Sequence, residues 1–286
     1  MRRLANRSIL AGALILAAVV SVGVLAPVLA TSDPTVIDPT ARNRKPGAER
    51  SVRGDDGRPH SVRHWMGTDS LGRDVYSRVV YGARVSLFVG VTVALVSAAA
   101  GLAIGLVAGF NRRLDAVVMR IMDGLMAIPA ILLAIGLVSL SRASLRSVIL
   151  AIVIPEIPRV VRLVRAVVLS IREEPYVEAA IALGARTPAL LARHVVPNTL
   201  APLVVQATFV CASAILIEAI LSFLGVGIPP ETPTWGNIMA EGRALFRVFP
   251  HNILFPGIFL AATVLAVNML GDGLRDQLDP RVRKRL

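Results

Sequence analysis

The chain has 286 residues, of which 55% are hydrophobic and only 17% charged; ordinary soluble domains carry about 25% charged residues, so a water-soluble globule is excluded. Its 31 Lys and Arg against 19 Asp and Glu give a net charge of +12. These charges lie between long apolar runs and form no continuous basic face, which argues against nucleic acid as a partner.

Six apolar segments succeed one another along the chain. Ser8 to Ala30 carries no charge and is long enough for a hydrocarbon core of about 30 Å, which takes about 20 helical residues. A cleaved leader is the competing reading, since Arg2, Arg3 and Arg7 make a basic start and Val28-Leu29-Ala30 looks like a cleavage site. The apolar core is, however, longer than the roughly 7 to 15 residues of such leaders. Residues 31–82 are expected on the outer side. Their first half is rich in Pro and charge and reads as irregular, while Leu71, Val75, Val79 and Val80 in the second half are spaced like one face of a short surface helix. Further apolar runs cover roughly 83–110, 117–140, 148–169, 198–225 and 251–271. The run at 148–169 is interrupted by Glu156, Arg159, Arg162 and Arg165, and Pro155 and Pro158 are expected to kink it. A basic tail, 274–286, closes the chain.

Orientation follows from the basic residues. With the N-terminus inside, the inner side holds 16 of them and the short outer loops only 4, Arg142, Arg146, Arg243 and Arg247. That bias puts both termini in the cytoplasm and agrees with six spans. The 31–82 stretch adds 9 more, but loops of that length translocate largely regardless of charge.

The segment richest in function lies between the fourth and fifth spans and parses as two short helices. Glu173 and Glu174 fall in a first helical turn, where carboxylates meet the positive end of the dipole, and Gly184 ends that helix where a left-handed residue is tolerated. Thr187 caps a second helix with Pro188 at its first position, and Pro197 is expected to stop it. Ala179, Ala180 and Ala182 keep the first helix thin. A thin helix between two spans can dock closely into a groove on a partner, with Glu178 as its polar contact. An ordinary interfacial hairpin is the plainer alternative.

Other residues invite narrower expectations. Gly101, Gly105 and Gly109 form a tandem GxxxG that lets another helix approach closely. Asp123, Glu156 and Glu218 are ionisable groups in or near apolar runs, where such groups are functional candidates. Asp123 is expected to pair with Arg120 and Glu156 with Arg159, Glu218 is the pathway candidate, and Arg159, Arg162 and Arg165 are expected to snorkel to the cytoplasmic surface. Residues 225–250, with Pro229, Pro230, Pro233 and Trp235, read as a stiff, aromatic-tipped outer loop that meets a partner or lines the outer mouth; a purely structural loop is the alternative. The single cysteine, Cys211, allows no disulfide framework or zinc knuckle, and Lys45 and Lys284 each follow Arg, so there is no Walker A phosphate loop. No cofactor or metal ligand set is evident.

The run Tyr176-Val-Glu178-Ala179-Ala180, then Gly184-Ala185, then His194-Val-Val-Pro197-Asn198 resembles the Glu-Ala-Ala signature of ABC-importer permeases, with Val196 where that signature usually has Leu. Gly67-Thr-Asp-Ser-Leu-Gly72-Arg-Asp74, Ser222-Phe-Leu-Gly225-Val-Gly227 and Asn268-Met-Leu-Gly271-Asp-Gly273 are similar to the second-permease type of the dipeptide/oligopeptide/nickel branch. The resemblance covers about 64–283. It implies an all-α polytopic membrane protein of the bacterial inner membrane: a type I permease core of five spans, 83–273, preceded by an extra N-terminal span within 1–30. It also implies a homologous second permease, two separate ATPase subunits, an extracytoplasmic solute-binding protein and surrounding lipid. ATP hydrolysis then falls to other chains, and residues 176–185 become the ATPase contact.

Two rival classes stand beside this reading. An intramembrane hydrolase would need a nucleophile with its base or a metal pair, yet there is no HExxH or GxSxG, and none of the four histidines, His60, His64, His194 and His251, falls inside an apolar run. A secondary transporter or channel would suit the Gly- and Pro-broken spans, but has no use for the Ala-rich cytoplasmic hairpin.

Overall fold

The structure, a computed structural model, describes residues 2–53 and 59–278. Helix α1 (Arg2–Val24) and the short α2 (Ala26–Leu29) precede an antiparallel hairpin, β1 (Ala48–Arg53) and β2 (Pro59–His64), in which Ala48 pairs with His64 and Ser51 with Ser61. Five long or bent elements follow. These are α3 (Val75–Phe110), the pair α4 (Arg112–Met126) and α5 (Ala130–Ser139), α6 (Leu145–Arg172), α9 (Val196–Phe223) and α11 (His251–Leu278). Shorter helices join them: α7 (Pro175–Ala182) and α8 (Thr187–Leu190) between α6 and α9, and α10 (Trp235–Gly242) before α11. Among the described residues, four helices are long and apolar enough to cross a membrane, or five if α4 and α5 count as one span.

Four sequence expectations are corrected. The surface helix expected over 71–82 is the beginning of α3, whose 36 residues reach about 54 Å at 1.5 Å per residue; Val75, Val79 and Val80 are buried. Val75 and Val79 pack in one cluster with Trp235 and Ile238 rather than lying on a membrane surface. Residues 31–47 hold only turns and the short helical turn Pro39–Ala41, as expected of an irregular stretch, but the strands β1 and β2 that follow form a hairpin not among the sequence expectations. The apolar run at 117–140 is not one straight helix: α4 and α5 meet at 86°. Pro129 cannot continue the donor ladder, and it biases Ile128 away from helical geometry. Conversely, α6 runs through Pro155 and Pro158 without a break.

Residues of the apolar core come mainly from α3, α5, α6 and α9. The closest approach is between α3 and α6. Gly101, Gly105 and Gly109 face Val160, Val164 and Val168, and a Cβ added at Gly105 or Gly109 would sit 2.7 Å from a valine Cβ. Both rows repeat every four residues, so the valines fill a groove that only glycine leaves open.

At the N-terminal end of α3, polar side chains take over from packing. Asp74 caps α3 by accepting from the Ser77 N–H at 2.8 Å, and it also accepts from the Thr31 hydroxyl at 2.9 Å and meets His64 Nδ1 at 2.8 Å. Beside it, Arg73 Nε donates to Asp69 Oδ2 at 2.7 Å and its Nη2 to Glu241 of α10, while Arg78, 1% exposed, reaches both carboxylates at 3.4 Å. This largely buried quartet, with Glu241 half-buried, ties the start of α3 to α10.

Three stability outcomes follow. Gly105→Leu should cost about 1–3 kcal/mol by overpacking, read as a lower Tm in detergent. Gly124→Ala, where an added Cβ meets nothing within 4 Å, should be neutral or gain up to about 1 kcal/mol. Arg78→Met leaves the buried Asp69 and the half-buried Glu241 with one cation fewer and should cost about 3 kcal/mol in the same assay.

Candidate functional site

The hairpin between α6 and α9 is exposed except at a few anchors. Val177 of α7, Leu190 of α8 and Val195 are buried in the apolar core with Ile171 and Val168 of α6. Helix α7 begins with Pro175 at its first position and carries Glu178 in its first turn, both favourable at a helix N-terminus. Glu173 and Glu174, expected within that turn, instead form the cap of α6 and the N-cap of α7.

The end of α7 is a complete Schellman motif. Gly184, at φ +84°, donates its N–H to Ile181 O at 2.9 Å, and Ala185 donates to Ala180 O at 3.0 Å. A Cβ at Gly184 would meet nothing within 4 Å. The requirement there is backbone conformation, not space.

Thr187 does not cap the following helix; Arg186 holds the N-cap position, with Thr187 and Pro188 inside the first turn. Nor does Pro197 stop it. Residues Leu191–Val195 widen into a π-helical turn, closed by Val196 N–H on Leu191 O, and the chain continues as one helical stretch from Thr187 to Phe223. Widening the turn by one residue accommodates the ring and missing N–H of Pro197. The Asn198 amide then donates to His194 O at 2.6 Å, and the Thr199 hydroxyl to Val195 O at 2.7 Å.

What the hairpin shows to solvent is a mixed face. Tyr176, Glu178, Ala179, Ile181 and Leu183 are exposed, with Leu183 at 89%. The Tyr176 ring leans on His194 at 5.7 Å between centroids, which fixes α7 against the α8–α9 limb. Large apolar groups outside the spans, held on a short rigid helix, form a surface suited to a partner groove.

The structure does not bring the remaining candidates to this site. Glu218 is fully buried in α9; its carboxylate accepts from Ser222 Oγ at 2.8 Å and from Ser86 Oγ of α3 at 3.3 Å. It fastens α9 to α3. Trp235 is not the tip of an outer loop: it is fully buried, and its indole N–H donates to Val79 O at 3.1 Å. That correction reflects α10, which turns the indole inward because its apolar area is worth more buried than exposed. The loop before α10 is set instead by Asn237, whose amide NH2 shares its two hydrogens among the Ile228, Pro229 and Thr232 carbonyls at 3.0 to 3.2 Å. Glu156 meets Arg159 at 3.4 Å as expected, and also accepts from Ser213 Oγ of α9 at 2.8 Å. Asp123 pairs with Arg162 at 2.6 Å, not with Arg120, and Arg165 pairs with Asp115, so these arginines do not simply snorkel. A groove of about 740 Å³ opens between α6, α9 and α11, with Pro197, Gln206 and Arg275 in its wall.

Residues 101–284 match the family described as binding-protein-dependent transport system inner membrane component. The chain belongs to that family. It is 50% identical over 261 residues to the "Probable peptide ABC transporter permease protein y4tQ" of Sinorhizobium fredii, covering 91% of this chain and 85% of that one. It is 40% identical to the dipeptide transport system permease protein DppC of Alkalihalophilus pseudofirmus, over 97% of this chain and 87% of that one. The glutathione transport system permease protein GsiD of Escherichia coli is 44% identical over 224 residues, 78% of this chain and 74% of that one. In fold, the chain superposes on a chain of the inward-facing MetNI methionine ABC transporter with a TM-score of 0.57 at 19% identity, over 73% of this chain and 96% of that one. The fold is therefore that of a type I ABC importer permease. The chain is the membrane component of such an importer, and ATP hydrolysis belongs to separate subunits.

Replacing Gly184 tests the cap directly. Gly184→Ala should loosen the α7 end by about 1–2 kcal/mol, the cost of a left-handed L-residue, and Gly184→Asn by less; faster amide hydrogen exchange over 180–186 in the Ala variant than in the Asn variant is the expected reading.

Proposed function

We propose that this chain is one of two homologous permeases in a di- or oligopeptide importer of the bacterial inner membrane, with six spans and both termini cytoplasmic. Residues 173–197 form its contact with the ATPase subunits. The observation that carries the reading is the hairpin itself: an eight-residue helix, α7, that starts on Pro175, ends on Gly184 in a Schellman motif and exposes Tyr176, Glu178, Ile181 and Leu183. So short a helix is unstable alone in water. Here the caps and the Val177 anchor hold it ready for a partner.

The mechanism follows from this placement. Closure of an ATPase dimer displaces the docked α7, and α7 is joined to the ends of α6 and α9, both of which pack on α3. Moving the hairpin therefore tilts two membrane helices together and exchanges inward and outward access. The groove beside Gln206 and Arg275 supplies part of the chain's own wall to the pathway. Peptide as cargo is supported by the names of y4tQ and DppC. Six spans are supported by the charge bias and by α6, whose 28 residues suffice to cross despite their charges.

Affinity purification of the tagged chain in mild detergent should bring down a homologous permease and ATPase subunits; recovery as a lone chain or homo-oligomer would move a secondary transporter to the front. In the reconstituted complex, Gly184→Val should let ATP hydrolysis continue while labelled dipeptide uptake falls at least about tenfold, roughly 1.4 kcal/mol of lost coupling, and normal uptake by that variant would refute the assignment of the hairpin.

A further inference from the structure

Three arginines of α6 each hold a different point on the neighbouring helices. Arg172 Nη1 donates to Gly109 O at 2.9 Å, and its guanidinium lies 5.2 Å over the Phe110 ring, so it sits on the open C-terminal carbonyls of α3. Arg165 grips Asp115 of α4 with both Nε and Nη2, the latter at 2.6 Å from Oδ2. Arg162 Nη2 meets Asp123 Oδ1 at 2.6 Å. At about 100° per residue these three arginines lie within an arc of about 80° on α6. Only two residues, Glu173 and Glu174, separate Arg172 from α7.

Helix α4 has little else to hold it. Of its residues only Met122 is buried, while Leu114, Val117 and Ile121 are exposed along one stripe. Its distance from α6 is therefore set by the two ion pairs more than by packing. Beyond Met126 the chain bends by 86° into α5, which is anchored in the core by Ala134 and Val138.

We propose that Arg162 and Arg165 are positioning residues that carry displacement of the coupling hairpin from α6 into α4, while Arg172 ties the same end of α6 to the end of α3, making the α4–α5 bend the moving part of this chain's cytoplasmic gate. This rests on the reading of the hairpin as the ATPase contact. Arg165 is the dominant member: its pair with Asp115 is two-pronged and less exposed, 30% and 18%, than the Arg162–Asp123 pair at 43% and 56%. Two-pronged guanidinium–carboxylate contacts fix orientation as well as distance. An ammonium group in place of Arg165 would keep the charge and lose that fixed orientation.

The test uses the whole complex with a Cys211→Ala background and spin labels at Val117→Cys on α4 and Leu150→Cys on α6, both exposed sites. The distance between labels is measured with and without ATP and vanadate. A cross-link from Leu183→Cys to the ATPase subunit is followed in parallel. The expected result is an ATP-driven distance change that Arg165→Gln reduces about twofold or more while the cross-link persists, with Arg165→Lys intermediate and the exchange Asp115→Arg with Arg165→Asp restoring the change. An unaltered distance change in Arg165→Gln, or no restoration by the exchanged pair, overturns the inference and leaves the hairpin reading intact. Failure of the cross-link with Arg165 unsubstituted overturns both.

Discussion

Close contact between α3 and α6 is the constraint on which the other arrangements depend. Gly101, Gly105 and Gly109 leave a channel along α3 that Val160, Val164 and Val168 fill. Lipid tails are as apolar as valine, so burial alone gives these helices no reason to associate; dense van der Waals contact does. The approach also orients α6. With its valine row against α3, its arginines face the end of α3 and α4, and its last turn delivers the chain to the hairpin.

The two ends of the bundle solve different problems with the same helices. At the end where α3 begins, Asp69, Arg73, Asp74 and Arg78 bury their charges almost completely and Glu241 is half-buried beside them. Buried ion pairs of this kind are costly to assemble and costlier to break singly, which favours one defined arrangement. At the inner end the charges are half exposed, the helices short, and the anchors few. Such a region can move without unfolding the rest. Under the proposed orientation, the rigid end faces outward and the compliant end faces the ATPase subunits.

Much of the hairpin was legible in the sequence because its signals are local. Gly184 marks a helix end through backbone conformation alone, and the structure gives it that role; the sequence places the helix start about two residues early, at Glu173, where the structure begins α7 at Pro175. Pro197 was misleading because its consequence depends on what precedes it: a π turn at Leu191–Val195 absorbs the ring, and the helix goes on. Pro155 and Pro158 inside the unbroken α6 show the same dependence, whereas Pro129 ends in a sharp bend. Trp235 and Glu218 were unreadable for another reason. Whether an aromatic or a carboxyl faces a pathway or the core depends on residues more than 130 positions away, Val79 and Ser86.

By itself the sequence determined that the chain lives in a membrane, how its apolar segments alternate with charge, where the Glu-Ala-Ala hairpin lies, and that ATP is bound elsewhere. Those properties depend on composition, segment length and short-range capping, each of which is complete within a few turns of chain. Tertiary structure alone decided which acid each arginine of α6 meets, that α4 and α5 bend, that α3 begins at Val75, and that Trp235 is core. These are choices between partners of equal local merit, such as Arg120 and Arg162 for Asp123, and only the close packing of α3 on α6 puts one of them within reach.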